Sequence, residues 1–376
     1  MKKKSLCLII NADWYFKLHW LERALLFQEQ FKIKIISNFE DYQFKKSLID
    51  MGFEVYDIPL SRRGISIIKE INLFYQLYRL ISKISPDIVH NVTIKPNIYA
   101  GIIAKIKRIP CVGTITGLGE VFDQRKFIYK VLRPLVKFAY MFAYKSEISG
   151  LVFENDQNLE KFRKNKIIST FNSLRVKGAG VDINKYNIVP APSTPPNIIL
   201  FASRLLREKG LEELIMSINR LRQKGHEIVL NVAGIFDNSK GAISPKEINL
   251  WHKNGDINWI GTRDDMHEII KQSNIICLPT TYGEGLPRIL IEGAACGRAL
   301  VASNVVGCND LIRHNENGLL FDPSNMLTLD EALEKLILDI EFRKRLGERA
   351  RKDIEDGYSV ESIANEFLSF YKKVAN

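Results

Sequence analysis

Two glutamates eight residues apart, Glu284 and Glu292, enclose Gly285-Leu286-Pro287-Arg288-Ile289-Leu290-Ile291, shortly after a strand-like apolar run at 275–278. Pro287 suits the first turn of a helix, where its missing N–H costs nothing. The amides of Gly285 and Leu286 then face out of a helix N-terminus, which attracts an anion. At a rise of ~1.5 Å per residue, Glu292 stands roughly 12 Å along the axis from Glu284. Two carboxylates serving one glycosidic bond need a separation of roughly 5–9.5 Å, so that joint role is excluded. The spacing suits the two ends of an elongated ligand with a phosphate between them, which is the shape of a nucleotide sugar. The plainer alternative is a glutamate that complements the helix dipole. Glu292, among Ile289, Leu290, Ile291, Ala294 and Ala295, is poorly placed for a solvated face.

Other residues capable of chemistry lie at the ends of strand-like runs. Arg204 and Lys209 follow the run at 198–202 within Ala202-Ser203-Arg204-Leu205-Leu206-Arg207-Glu208-Lys209-Gly210. Taken alone they read as two solvated loop cations. Thr262 and Arg263 follow the run at 257–260, and Arg263 reads equally as a surface cation. The sequence contains no D-x-D, and its six histidines do not pair at ligand spacing. Cations and oriented amides must then neutralise any leaving diphosphate. In the first half, the turn Asn11-Ala12-Asp13-Trp14-Tyr15-Phe16-Lys17-Leu18-His19 has no glycine-rich fingerprint, so a dinucleotide is not expected there. The loops at 91–96, with Lys95, and at 114–119, with Thr116 and Gly117, follow strand ends. His19 and His90 are lone histidines, a type more often structural than functional.

Positioning these groups requires a particular scaffold. Strand-like runs at 5–10, 32–37, 53–58, 87–90, 111–115 and 151–153 alternate with helical patterns, notably 65–84 and 97–107. That alternation predicts a mainly parallel, doubly wound sheet. Residues 186–197 contain four prolines and little apolar bulk, and read as a linker. Beyond it the alternation restarts, with strands at 198–202, 228–233, 257–260, 275–278, 299–303 and 318–321. Helical patterns follow at 328–347 and 360–375. Two Rossmann-like domains are the expected architecture, with ligands beyond the carboxyl ends of the strands. The length of 376 residues allows two or three domains, and 46% hydrophobic with 26% charged residues describes a soluble globular chain.

Charge is unevenly divided. Residues 1–190 hold 31 Lys and Arg against 17 Asp and Glu, a net of +14, while the remainder holds 23 against 26, a net of −3. The asymmetry points to an anionic surface or acceptor on the first half. No aromatic–basic nucleic-acid signature accompanies it, and an anionic membrane face bearing a diphosphate lipid fits better. Residues 125–145 place Lys126, Lys130, Arg133 and Lys137 at helical spacing beside aromatics, a pattern that fits a helix lying on a membrane and, more commonly, a sheet-covering helix with a solvated basic edge. Arg62, Arg63, Lys105, Lys107 and Arg108 extend that basic surface. The apolar run after Met1-Lys2-Lys3-Lys4 is too short for a signal peptide, and no ~18-residue uninterrupted apolar stretch marks a membrane span. A cytoplasmic protein peripheral to the inner membrane is expected. The five dispersed cysteines read as buried hydrophobes.

The 284–292 run resembles the E-x7-E motif of retaining glycosyltransferases of family 4, which have the GT-B fold, two Rossmann-like domains facing across a cleft. Residues 202–210 resemble that family's G/S-R-L-x-x-x-K-G element. Gly178-Ala179-Gly180-Val181-Asp182 resembles the N-G-V-D turn that closes its first half. The ordered match covers nearly the whole chain and is similar to the bacterial polysaccharide and lipid-linked oligosaccharide branch. It implies an acceptor domain at 1–185, a nucleotide-sugar domain at 198–357, and a helix at 358–376 that crosses back to the first domain. It further implies that Glu284 holds donor-sugar hydroxyls, Glu292 ribose hydroxyls, Arg204 and Lys209 the diphosphate, Gly285 and Leu286 a phosphate, and Thr262 and Arg263 the base. Asp13, His19, His90, Lys95, Thr116 and Gly117 fall on the acceptor side. Thr116 stands about where many relatives carry a catalytic-site histidine, which leaves it a positioning role.

The implied activity is metal-independent, cofactor-free transfer of a hexose or N-acetylhexosamine, best read as from UDP-GalNAc or UDP-GlcNAc. The acceptor would be an undecaprenyl-diphosphate-linked glycan in O-antigen, capsule or lipid-linked oligosaccharide assembly. The alternatives are a UDP-sugar epimerase of the same architecture, a GDP-sugar-dependent transferase, and a non-catalytic protein that binds nucleotide sugars or anionic surfaces.

Overall fold

The computed structural model describes residues 3–60, 67–116, 127–167, 172–192, 195–237, 239, 241–283 and 285–375. The chain forms two compact units, one of Met1–Ala179 with Glu361–Asn376 and one of Gly180–Val360.

The first unit is built on seven strands: β1 (Ser5–Ile10), β2 (Lys32–Ser37), β3 (Glu54–Asp57), β4 (Ile88–Val92), β5 (Cys111–Ile115), β6 (Ser149–Phe153) and β7 (Ser173–Arg175). They pair in parallel in the order β3-β2-β1-β4-β5-β6-β7. Successive side chains of a strand face opposite sides, and β1 feeds two cores. Leu6, Leu8 and Ile10 join Phe16, Trp20 and Phe27 from the helices Asp13–His19 and Leu21–Phe27. Cys7 and Ile9 join side chains of the helices Ile67–Ile84, Ile94–Lys107 and Phe127–Tyr144 on the other face. Coverage on both faces explains why β1, β4, β5 and β6 are buried along their whole length. The helix Val360–Ala375 supplies Ile363, Phe367 and Tyr371 to the first of these cores.

The second unit has six parallel strands: β8 (Asn197–Arg204), β9 (Ile228–Ile235), β10 (Asn258–Gly261), β11 (Ile275–Leu278), β12 (Ala299–Ser303) and β13 (Leu319–Phe321). Their order is β10-β9-β8-β11-β12-β13. The chain winds one way from β8 through β9 to β10, then returns to the other side of β8 to place β11. That reversal opens a crevice between the carboxyl ends of β8 and β11. In the first sheet the corresponding reversal lies between β1 and β4.

Three expectations are corrected. The division falls between Ala179 and Gly180, not in a linker at 186–197. Tyr186 is 4% exposed in the second core, and the proline-rich segment is pinned to the second unit by Arg298 donating to the Val189 carbonyl (2.7 Å) and Asn274 to that of Pro192 (2.6 Å). The motif turn belongs there too: Gly180 has φ +76°, a Cβ on it would lie 2.8 Å from the Val360 Cα, and Val181 pairs with Ser359. The single helical pattern at 328–347 is two helices, Leu327–Leu338 and Ile340–Glu355, because Asp339 at φ −105° leaves helical geometry and caps the second by accepting from the Phe342 amide. Strand β7 carries no sequence signal, since its three residues are all half-buried.

All five cysteines are buried. Burial pushes the thiols of Cys7, Cys111 and Cys296 up to about 12, which makes them unreactive near neutral pH.

Candidate active site

Arg204 is the last residue of β8, at the edge of the crevice. Its Nη1 pairs with Asp237 at 3.1 Å. The chain then makes a 3-10 turn, Arg207–Lys209, closed by Gly210 in left-handed geometry at φ +80°. A Cβ on Gly210 would sit 2.0 Å from the Pro279 carbonyl oxygen, so only glycine permits this approach. The Glu208 carbonyl accepts from the Thr281 amide (2.9 Å) and the Thr280 hydroxyl (3.2 Å). The cationic turn after β8 and the loop after β11 are thus one stitched piece. Within it Lys209 is 5% exposed, its Nζ 4.9 Å from the centre of the Tyr282 ring.

The loop after β11 leads into the helix Arg288–Ala295, with Pro287 as its N-cap at φ −64° and ψ 120°. Helical geometry therefore begins after Pro287, and the axial separation expected between the two glutamates does not apply. Glu284 lies outside the described residues. Gly285 and Leu286 lie half-buried just before the cap. Glu292 points inward, 6% exposed, and its Oε1 accepts from the Tyr186 hydroxyl (2.9 Å) and Arg288 Nε (2.5 Å).

At the β9–β10 side, the Thr262 hydroxyl donates to the Gly234 carbonyl (2.8 Å). Arg263 forms a bidentate pair with Asp265 (2.8 and 2.6 Å), which raises its pKa further. This exposed pair engages the guanidinium that was expected at the base.

In the first unit the candidate polar groups are mostly engaged. Asp13 is 3% exposed. Its Oδ2 accepts from the Glu40 and Asp41 amides (2.7 and 2.8 Å) and its Oδ1 from the Trp14 amide (2.7 Å). His90 is fully buried, Nδ1 2.5 Å from the Tyr371 hydroxyl and Nε2 2.8 Å from that of Thr114. Burial, and then the Arg23 charge, hold its pKa well below the usual histidine value. This corrects its placement on the acceptor side: it is a neutral core histidine. His19 stacks on Tyr15 with centroids 4.3 Å apart. Lys95 pairs with Glu70 at 2.7 Å, and Glu70 also accepts from the Tyr99 hydroxyl at 2.8 Å. Thr116 follows the end of β5, and Gly117 lies outside the described residues.

Several residues at the ligand edges escape motif reading. Thr93, between β4 and its helix, holds φ +75°, an outlier for a β-branched residue. Glu154 follows β6, and burial raises its pKa to about 7 against the opposing Arg23 charge. Tyr186, Asp237 and Tyr282 engage the motif residues from other segments, with no local pattern that announces them.

Two cavities, of about 310 and 490 Å³, open near Lys32 and Gly52 and near Ser85 and Ile109. Both lie at the amino edge of the first sheet, away from either reversal, so the site is marked by side chains and topology. Among the described residues, no helix is long and apolar enough to cross a membrane.

Comparison with known proteins accounts for this geometry. Residues 5–146 match the family described as "Glycosyl transferase 4-like", and residues 182–353 match "Glycosyl transferases group 1". A similar protein is the N,N'-diacetylbacillosaminyl-diphospho-undecaprenol alpha-1,3-N-acetylgalactosaminyltransferase of Campylobacter jejuni, 25% identical over 88% of this chain and 89% of its own. Another is the UDP-Gal:alpha-D-GlcNAc-diphosphoundecaprenol alpha-1,3-galactosyltransferase of Escherichia coli, 24% identical over 93% and 91%. The crystal structure of HepE from Anabaena, in complex with UDP and glucose, superposes with a TM-score of 0.76 at 16% identity, covering 98% of this chain and 99% of that one. Both halves of the chain, in order, carry the marks of one enzyme class: the chain belongs to family 4 of the glycosyltransferases and has the GT-B fold.

Proposed function

We propose that the chain is a retaining, metal-independent transferase that moves an N-acetylhexosamine or hexose from a UDP-sugar, best read as UDP-GalNAc or UDP-GlcNAc, to an undecaprenyl-diphosphate-linked glycan. Such a step belongs to O-antigen, capsule or lipid-linked oligosaccharide assembly. The observation that carries it is the stitched turn at the β8–β11 crevice, which holds Arg204 and a buried Lys209 beside the helix bearing Glu292. Preorganised cations stabilise charge that develops on a leaving diphosphate, and they do so more strongly where water is excluded. Glu292 would take the ribose hydroxyls, Glu284 those of the donor sugar, and the amides of Gly285 and Leu286 a phosphate. Attack from the leaving-group face lets the departing phosphate accept the acceptor's proton, consistent with retention.

We further propose that the first unit brings the enzyme to the cytoplasmic face of the inner membrane. The helices Ile67–Ile84, Ile94–Lys107 and Phe127–Tyr144 carry nine Lys and Arg and one acid, Glu70, already paired with Lys95. Ile68, Ile71, Tyr75 and Tyr78 form an exposed stripe at helical spacing on the first, and Leu135, Phe138 and Phe142 another on the third. Basic helices with apolar stripes bind anionic lipid surfaces.

The test is thermal stabilisation by UDP, GDP and ADP, each with excess EDTA, on wild type and Glu292→Ala, followed by the anomeric configuration of the product. Ligand at 100 times its Kd adds ~2.7 kcal/mol. A shift with UDP that survives EDTA and disappears in the variant is expected. A shift with GDP alone changes the donor class, loss of the UDP shift in EDTA removes metal independence, and no shift at all overturns the nucleotide site.

A further inference from the structure

Both protein donors to Glu292 among the described residues, the Tyr186 hydroxyl and Arg288 Nε, fall on the same oxygen, Oε1. An ionised carboxylate has about four acceptor positions over its two oxygens. Two donors on one oxygen set the plane of the group and leave the other oxygen to a ligand. Arg288 reaches Glu292 along the helix at i, i+4. Tyr186 comes from the segment after the Gly180-Val181-Asp182 turn, and a buried side chain ties that segment to the helix of Glu292. Arg351, 9% exposed, donates through Nη1 to the Tyr186 carbonyl (2.7 Å) and to the carbonyl of Ala295, the last residue of the helix that carries Glu292. One guanidinium thus fixes both the segment that brings the hydroxyl and the helix that brings the carboxylate. The Tyr186 ring packs edge-on to His267 at 6.0 Å in the second core. Phenylalanine would fill that space equally and would lack the bond to the carboxylate.

We propose that Tyr186 and Arg288 are positioning residues that clamp Oε1 of Glu292 and turn Oε2 toward the vicinal ribose hydroxyls of the donor nucleotide. The clamp rests on the proposed role of Glu292 as the ribose contact. It adds a donor-affinity determinant from outside the two-glutamate motif, and it acts on binding of the nucleotide more than on the chemical step.

The test is calorimetric titration of UDP into wild type, Tyr186→Phe, Glu292→Ala and the double variant, with melting temperatures and donor kinetics alongside. Tyr186→Phe is expected to weaken UDP about tenfold, the scale of one hydrogen bond to a charged group. It should raise the donor KM with kcat within about twofold, and melt like wild type. In the Glu292→Ala background it should add no further loss, because the group it orients is gone. Arg288→Lys keeps the charge but loses the planar fork, and should move the same KM. Wild-type UDP affinity in Tyr186→Phe, with Glu292→Ala impaired, overturns the clamp and leaves the ribose contact standing. A Tyr186→Phe loss that persists without Glu292 also overturns the clamp. Full UDP affinity in Glu292→Ala overturns the ribose contact and the clamp together.

Discussion

The two sheets share a parallel, doubly wound plan, but their ligand edges use polar side chains in opposite ways. At the β8–β11 crevice the loops are tied together through backbone groups: the Glu208 carbonyl, the Thr281 amide, the contact of Gly210 with Pro279. Charged side chains are carried on that frame. At the edge of the first sheet the frame consists of the side chains themselves. Asp13 holds three backbone amides, His90 bridges Tyr371 to Thr114, and Lys95 neutralises Glu70. Motif-like polarity therefore has different meanings in the two units. At the crevice charged groups ride on a loop built by backbone contacts, Arg204 beside Asp237 and Glu292 beside Tyr186 and Arg288, whereas at the first sheet charged groups replace such a loop.

Lysine substitutions test the contrast most strongly. Lys209→Ala should lower kcat/KM by about 10²–10³, as loss of a preorganised charge at a leaving group does. Lys95→Ala should change the Kd for UDP by less than about twofold, since it lies outside the proposed donor site. A UDP Kd weakened as much in Lys95→Ala as in Lys209→Ala would erase the distinction. Asp13→Ala comes next. It leaves three amides without their acceptor and should destabilise the protein by about 2–3 kcal/mol in urea, with UDP affinity unchanged once folded. A stable variant deficient only in acceptor turnover would return Asp13 to the acceptor site.

The smallest effect concerns pH. His90 has a folded pKa below its unfolded value of ~6.5, so its stabilising contribution is present above that value and is lost as pH falls. Glu154 works in the opposite sense. Its folded pKa of about 7 lies above the unfolded value, so its contribution is favourable in acid and is lost as pH rises through 7. His90→Gln should remove up to about 1.4 kcal/mol per pH unit of acid sensitivity below pH 6.5, read from urea midpoints. An unchanged slope would mean that His90 takes up a proton as readily in the folded state as in the unfolded one.

Much of the frame was legible because parallel strands covered on both faces leave continuous apolar runs. β1, β2, β5, β11 and β12 emerge at the expected residues. β7 was not, since three half-buried residues make no pattern. The proline-rich segment misled for a related reason. Proline reports local backbone stiffness, while Val189 and Pro192 are held by Arg298 and Asn274 from distant segments. At the site, Arg204 and Lys209 taken alone read as solvated loop cations, and it was the resemblance of the runs around them and around Glu292 to a family's motifs that singled them out. Tyr186 could not be singled out, because its bond to Glu292 spans 106 residues and leaves no periodicity. His90 was ambiguous in a strand where functional and structural histidines look alike, and only its two buried partners decide.

The helix Val360–Ala375 belongs to the first unit although the whole second unit precedes it in the chain. During synthesis Trp20, Phe27 and His90 wait beneath an uncovered face while the second sheet, a contiguous stretch, can close on its own. The order in which the units are completed along the chain is thus the reverse of the order in which they begin: the second unit's residues are all made first, and the unit proposed to meet the membrane gains the helix Val360–Ala375 only afterwards. For the same reason residues 180–360 can be cut out as one piece, while the first unit requires two.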